Sequence, residues 1–343
     1  MNVDIAPAGC IPTVGSMQGT FAAFLAAANI DSKKDTALFI DPGFPVQKQQ
    51  MIVLDLKYET FDVFNYRGEK LQSKLEEYLA KGNINSIIYS NPNNPAWICF
   101  NEDELRIIGE LANKYDVIVM EDLAYFGMDF RRNLSKPGEP PFQPTVAKFT
   151  NNYILFISSS KIFSYAGQRC GIMAISDVLF KRDYADLQQR FKMNTSFGSI
   201  ITLRLLYSLS SGTSHSAQWA LTAMFKAANE GQFNFVDEVK EYGEKAKVMK
   251  KLFVENGFNI VYKTDLEEPI ADGFYFTVSY PGMTGNQLVE NLLYYGISAI
   301  ALDNTGSDEE GIRACVSFVQ RSQFGELEDR LKLFNKNFNA GRE

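Results

Sequence analysis

Histidine is nearly missing from this chain: His215 is the only one in 343 residues. That scarcity excludes histidine-triad chemistry and most metal centres, which need imidazole as base or ligand. Acid–base work must fall to lysine, tyrosine or carboxylates. Cysteine is sparse as well. Cys10, Cys99, Cys170 and Cys315 are scattered, with no CxxC pair and no metal-ligand spacing. This argues against a disulfide framework and for reduced thiols in a cytoplasm. No apolar run is long enough to span a bilayer and no secretory leader is evident, so no membrane partner is expected. Positive charge is in deficit too, with a net charge of −7, which argues against a nucleic-acid surface. An anionic ligand would therefore need a local cluster of donors.

What remains is ordinary globular material: 45% hydrophobic and 22% charged residues, enough to bury a large core. The spacing predicts a helix over 20–28, introduced by a Gly15-Ser16-Met17 turn. Free backbone N–H groups at such a turn suit a phosphate, although a Gly-Ser pair also serves as a plain helix cap. A strand over 36–41 ends in a tight loop projecting Phe44. Short strands are expected over 52–56 and 61–64, helices over 69–80 and 102–115, and apolar strands over 84–89, 117–120 and 153–157. The alternation argues for an α/β fold, a three-layer sandwich around a mainly parallel sheet. Farther on, 176–193 reads as one amphipathic helix, 195–212 is ambiguous, and helices follow over 214–229 and 235–255. From 259 the pattern becomes α+β. We place a boundary inside the 235–255 helix, giving a large domain over 1–240 and a smaller C-terminal one over 241–343.

The chain is organised around residues 158–171, just past the 153–157 strand. A lysine at a pocket edge, partly desolvated, becomes an amine nucleophile and proton shuttle. Lys161 sits there, with Ser158, Ser160 and Arg169 as phosphate-seeking donors. Taken alone, Lys161 reads as a solvated surface residue in a turn, and it is the rest of the chain that overturns that reading. Asn94, Asp122 and Lys161 each follow the carboxyl end of an expected strand, the edge where open α/β sheets bind ligands.

Together these elements resemble the class I/II aminotransferases, pyridoxal-phosphate enzymes of fold type I. Ser158-x-Ser160-Lys161 with Gly167-x-Arg169-x-Gly171 is similar to that family's cofactor-lysine motif. Asp122-x-x-Tyr125, Asn94-Pro95, Gly15-Ser16-Met17, Phe44 and Arg313 match its other elements in register. The resemblance implies pyridoxal 5'-phosphate joined to Lys161 as an aldimine, with Lys161 later moving the substrate Cα proton. It implies Asp122 at the ring nitrogen, Tyr125 and Asn94 at the ring oxygen, and Phe44 stacked on the ring. The phosphate would be held by Gly15, Ser16, Met17, Ser158, Ser160 and Arg169. Arg313, with Asn94, would take the substrate carboxylate. The expected reaction moves an amino group from an L-amino acid to a 2-oxo acid in a homodimer. A same-fold β-lyase or decarboxylase, or a silent cofactor-binding dimerisation protein, are the alternatives.

Two departures stand out. Ala96 and Trp97 replace the threonine and glycine usual after Asn94-Pro95, and Trp97 is expected to pack the loop. Only about a dozen residues precede the phosphate turn, where family members carry several dozen. The expectation is a fragment, or a trimmed small domain and substrate site. The stretch 195–215 is a candidate pocket wall.

Overall fold

The computed structural model describes residues 1–339. Among them, seven strands form the central sheet: β1 (Cys10–Thr13), β2 (Thr36–Asp41), β3 (Lys57–Asp62), β4 (Ile84–Ser90), β5 (Ile118–Asp122), β6 (Tyr153–Ser158) and β7 (Gly171–Ile175). Their order is β1-β7-β6-β5-β4-β2-β3. Strands β3, β2, β4, β5 and β6 run parallel; β7 opposes β6, and β1 opposes β7.

Side-chain alternation along each strand divides the core into two layers. Leu38, Ile87, Val119 and Leu155 face one side, where they meet Leu71, Leu75 and Leu79 of α3 (Lys70–Leu79) and Leu105 and Ile108 of α4 (Glu102–Tyr115). Phe39, Ile88, Met120 and Ile154 face the other, against Ala23, Phe24 and Ala27 of α1 (Gly15–Ala27). Burial on both faces explains the continuous apolar strands. Helix α4 starts with a capping box between Asn101 and Glu104 and ends at Asp116, in the left-handed region.

Beyond the helix Phe235–Glu255, a four-stranded antiparallel sheet is built from β8 (Asn259–Ile260), β11 (Tyr275–Ser279), β12 (Ile300–Ala301) and β13 (Ile312–Cys315). Phe253, Phe276, Leu292 and Phe334 fill its core. A small hairpin, β9 (Thr264–Asp265) with β10 (Glu268–Pro269), is clasped by ion pairs to Arg67 and Arg131, in loops beside the large sheet. Arg67 pairs with buried Glu104 at 2.7 Å and with Asp265 at 2.8 Å. Arg131 reaches the other Asp265 oxygen at 2.7 Å and Asp129 at 2.8 Å.

Several expectations are corrected. Residues 52–56 are not a strand: Ile52 and Val53 end the helix α2 (Pro45–Val53), with side chains exposed to solvent. Pro45 at the first helical position is the signal that outweighs their β-branched character. The strand near 61–64 lies earlier, at Lys57–Asp62. Residues 10–13, where no element is expected, form edge strand β1, a position that tolerates Pro12. The 176–193 helix is two, Asp177–Lys181 and Ala185–Phe191, separated by extended backbone at Arg182. The ambiguous 195–212 stretch is helical, with a π-helical segment at Ile201–Leu206.

Candidate active site

Because β2, β4, β5 and β6 are parallel, their last residues Asp41, Ser90, Asp122 and Ser158 gather along one sheet edge. A cavity of about 240 Å³ opens there. Ser16, Met17, Phe44, Asn94 and Asp122 line it, and so do Tyr125, Ser158, Ser160, Lys161 and Arg169. Gly15 and Arg313, the other expected site residues, lie just behind this lining.

One end of the cavity is built for an anion. Helix α1 points its first N–H groups, including those of Ser16 and Met17, toward it. The Ser16 hydroxyl is buried with no hydrogen-bond partner. Gly15 has φ +67°, and a Cβ there would lie 2.4 Å from Arg169 Nη2. The guanidinium therefore occupies the space of an absent side chain. Gly15→Ala is expected to displace Arg169 and weaken inorganic phosphate or phosphorylated-ligand binding by about tenfold or more, measured by calorimetry. Ser158 caps the short helix α5 (Ser159–Ile162), its Oγ accepting from Ser160 N at 3.2 Å.

Asp122 occupies another wall. Its Oδ1 accepts from Ala124 N at 3.0 Å and its Oδ2 from Gln47 Nε2 at 2.8 Å. Burial pushes its carboxyl up to about 6 despite both donors. A cationic N–H brought into contact would pull it down again. Lys161, on α5, places Nζ 4.8 Å from the Phe274 ring centre. Burial holds its ammonium below the ordinary lysine value; Cys315 opposes this and Arg313 reinforces it.

The remaining wall joins Arg313 to Asn94 and this centre. Arg313 Nη1 donates to Asn94 Oδ1 at 3.0 Å. Guanidinium cannot accept, so this bond fixes the Asn94 amide with its oxygen outward, leaving Nδ2 as donor. Among the described residues no ion pair joins Arg313 to the acidic run 308–310, where Glu310 accepts from Gly285 N. Its Nε is buried and unpartnered. Tyr125 Oη donates to Tyr275 Oη at 3.0 Å. Trp97 is fully buried, edge-on to Tyr125 at 5.2 Å, in the slot left by Gly273. It packs the loop, as expected. None of 195–215 lines this cavity, correcting that expectation.

Sequence reasoning missed Gln47 and Tyr275, which both line the cavity. Gln47 had one faint signal, its place one helical turn after Phe44.

The model of the family described as aminotransferase class I and II matches residues 2–331. The chain is similar to a probable aspartate aminotransferase of Methanocaldococcus jannaschii: 24% identical over 315 residues, spanning 78% of this chain and 76% of that protein. Its fold is similar to an aminotransferase structure from Mycobacterium tuberculosis, with TM-score 0.73 and 16% identity, covering 98% of this chain and 78% of that one. It is also similar in fold to a putative PLP-dependent beta-cystathionase from Corynebacterium diphtheriae, with TM-score 0.72 and 15% identity, covering 97% and 77%. The family depends on pyridoxal phosphate, and the residues here fit that group. The orphaned Ser16 hydroxyl and the Arg169 cradle suit its phosphate, buried Asp122 suits a ring N–H, and Lys161 lies on the same cavity. This chain belongs to the class I and II aminotransferases, with a mixed α/β fold built on a mainly parallel sheet.

Proposed function

We propose that the chain is a transaminase moving the amino group of an L-amino acid to a 2-oxo acid. One observation carries this reading: an amine, a buried carboxylate, an anion cradle and an Asn94–Arg313 carboxylate receiver converge on one strand-end cavity. Pyridoxal phosphate supplies, when bound, an aldehyde for the amino group and an electron-withdrawing ring. Ser16, Met17, Ser158, Ser160 and Arg169, with Gly15 making room, would hold its phosphate. Asp122 would accept from the ring nitrogen, Tyr125 and Asn94 Nδ2 would donate to the ring oxygen, and Phe44 would stack on the ring. Arg313 would grip the substrate carboxylate through its fork. Lys161 Nζ, whose pKa burial lowers, would take the Cα proton and return it.

In this reading residues 1–240 carry the cofactor side and 241–343 supply Arg313. We also read the enzyme as a cytoplasmic homodimer. Its four cysteines are all free. Leu203, Tyr207 and Trp219 expose apolar surface suited to a second copy. Sedimentation at the mass of two chains supports the dimer; a fully active monomer removes it.

Stoichiometric enzyme incubated with a panel of amino acids tests the reaction. A 2-oxo acid formed without ammonia supports transamination. The fold similarity to a beta-cystathionase motivates one alternative, elimination, and pyruvate with ammonia would favour it. Released carbon dioxide would favour decarboxylation.

A further inference from the structure

Strand β11 brings to the cavity an aromatic residue that none of the sequence motifs accounts for. Tyr275 is 6% exposed and touches two site residues with two different parts of its side chain. Its ring lies beneath Arg313, with the guanidinium carbon 4.2 Å from the ring centre. Its hydroxyl accepts from Tyr125 Oη at 3.0 Å. The sheet dictates this placement. Tyr275 pairs with Cys315 and Thr277 with Arg313, so Tyr275 and Arg313 are diagonal neighbours on one face.

Resting on the transaminase reading, we propose that Tyr275 is a positioning residue that couples the substrate-carboxylate receiver to the cofactor-oxygen donor. Arg313 has a hydrogen bond to Asn94 and an unpartnered Nε. The aromatic face supplies the second support that keeps its fork flat and aimed. The hydroxyl acts on Tyr125. A phenol has one proton and two lone pairs. When Tyr125 gives its proton to a ligand oxygen, the Tyr275 hydroxyl can turn and donate to Tyr125, strengthening it as a donor. Asn94 and Tyr275 thus make two separate bridges from Arg313 toward the same centre. The charged and titratable groups facing the tyrosine pair are Asp122, Lys161, Arg313 and Cys315.

The test separates ring from hydroxyl with Tyr275→Phe and Tyr275→Leu. Affinity for propionate, a bare carboxylate, is read by calorimetry on the full chain with and without added pyridoxal phosphate. The visible absorbance of the loaded protein is titrated with pH. Tyr275→Leu is expected to weaken propionate about tenfold, and Tyr275→Phe by less than about twofold. Both variants are expected to move the absorbance midpoint upward by about half a pH unit, since Tyr125 becomes a poorer donor. Wild-type propionate affinity in the Leu variant overturns the ring role. An unmoved midpoint in the Phe variant overturns the hydroxyl role. Melting curves check folding, and Tyr275→Met, of similar bulk without a π face, replaces the Leu variant if that one does not fold. Wild-type protein that takes up no pyridoxal phosphate would sink the transaminase reading, while the propionate arm would still decide the ring's role.

Discussion

Lys161→Ala is expected to reduce amino-group transfer by at least about ten-thousandfold while leaving the fold intact. A positioned general base contributes roughly 10²–10⁴-fold, and loss of the amine nucleophile adds to that. No other lysine lines the cavity, so no neighbour can take over. The Lys161 side chain touches the Phe274 face without an ion pair to a carboxylate, so removing it strands no partner charge. The measurement is single-turnover formation of a 2-oxo acid, beside a melting curve. A variant retaining a tenth of wild-type turnover would remove Lys161 from the chemistry.

The second large effect belongs to Asp122→Asn, and its two readouts point in opposite directions. Activity is expected to fall about a thousandfold, since a buried charge partner is worth several kcal/mol once its counter-charge is in place. Stability of the cofactor-free protein is expected to rise. The Asp122 carboxyl is pushed from 3.8 to about 6 in the folded chain. A raised carboxyl favours the folded state only while protonated. That contribution is full below about pH 4 and is lost as pH climbs through about 6. At pH 8 wild-type protein therefore carries a penalty on the order of 3 kcal/mol that the neutral amide escapes. Gln47 can turn its amide over to accept from the new Nδ2. The gain in melting temperature should be large at pH 8 and vanish near pH 4; an equal gain at both would refute the electrostatic account.

The strand ends were legible because parallel sheets bring them together whatever the sequence distance. Asn94, Asp122 and Lys161 were each found by the apolar run before them, and the cavity holds all three. Helix α4 was legible for a local reason, the 3.6-residue apolar stripe of Leu105, Ile108 and Leu111. Ile52 and Val53 misled because a short apolar run has no period to read, and these two side chains face solvent. Strand β1 was hidden by Pro7, Gly9 and Pro12, which read as breakers away from the sheet that pairs them. Gln47 and Tyr275 were beyond reach for another reason. Gln47 meets Asp122 across 75 residues, and Tyr275 meets Tyr125 across 150. A polar contact at such a separation leaves no pattern in either segment.

The clasp on the small hairpin constrains how this sequence can drift. Asp265 answers two arginines at once, one on each carboxylate oxygen. A lineage that loses this aspartate takes one carboxylate from each arginine, leaving Arg67 with Glu104 and Arg131 with Asp129, and loosens the hairpin's tie to both. Positions 67, 104, 129, 131 and 265 thus form one network, in which a change at 265 alters how the hairpin is held without emptying either arginine of partners.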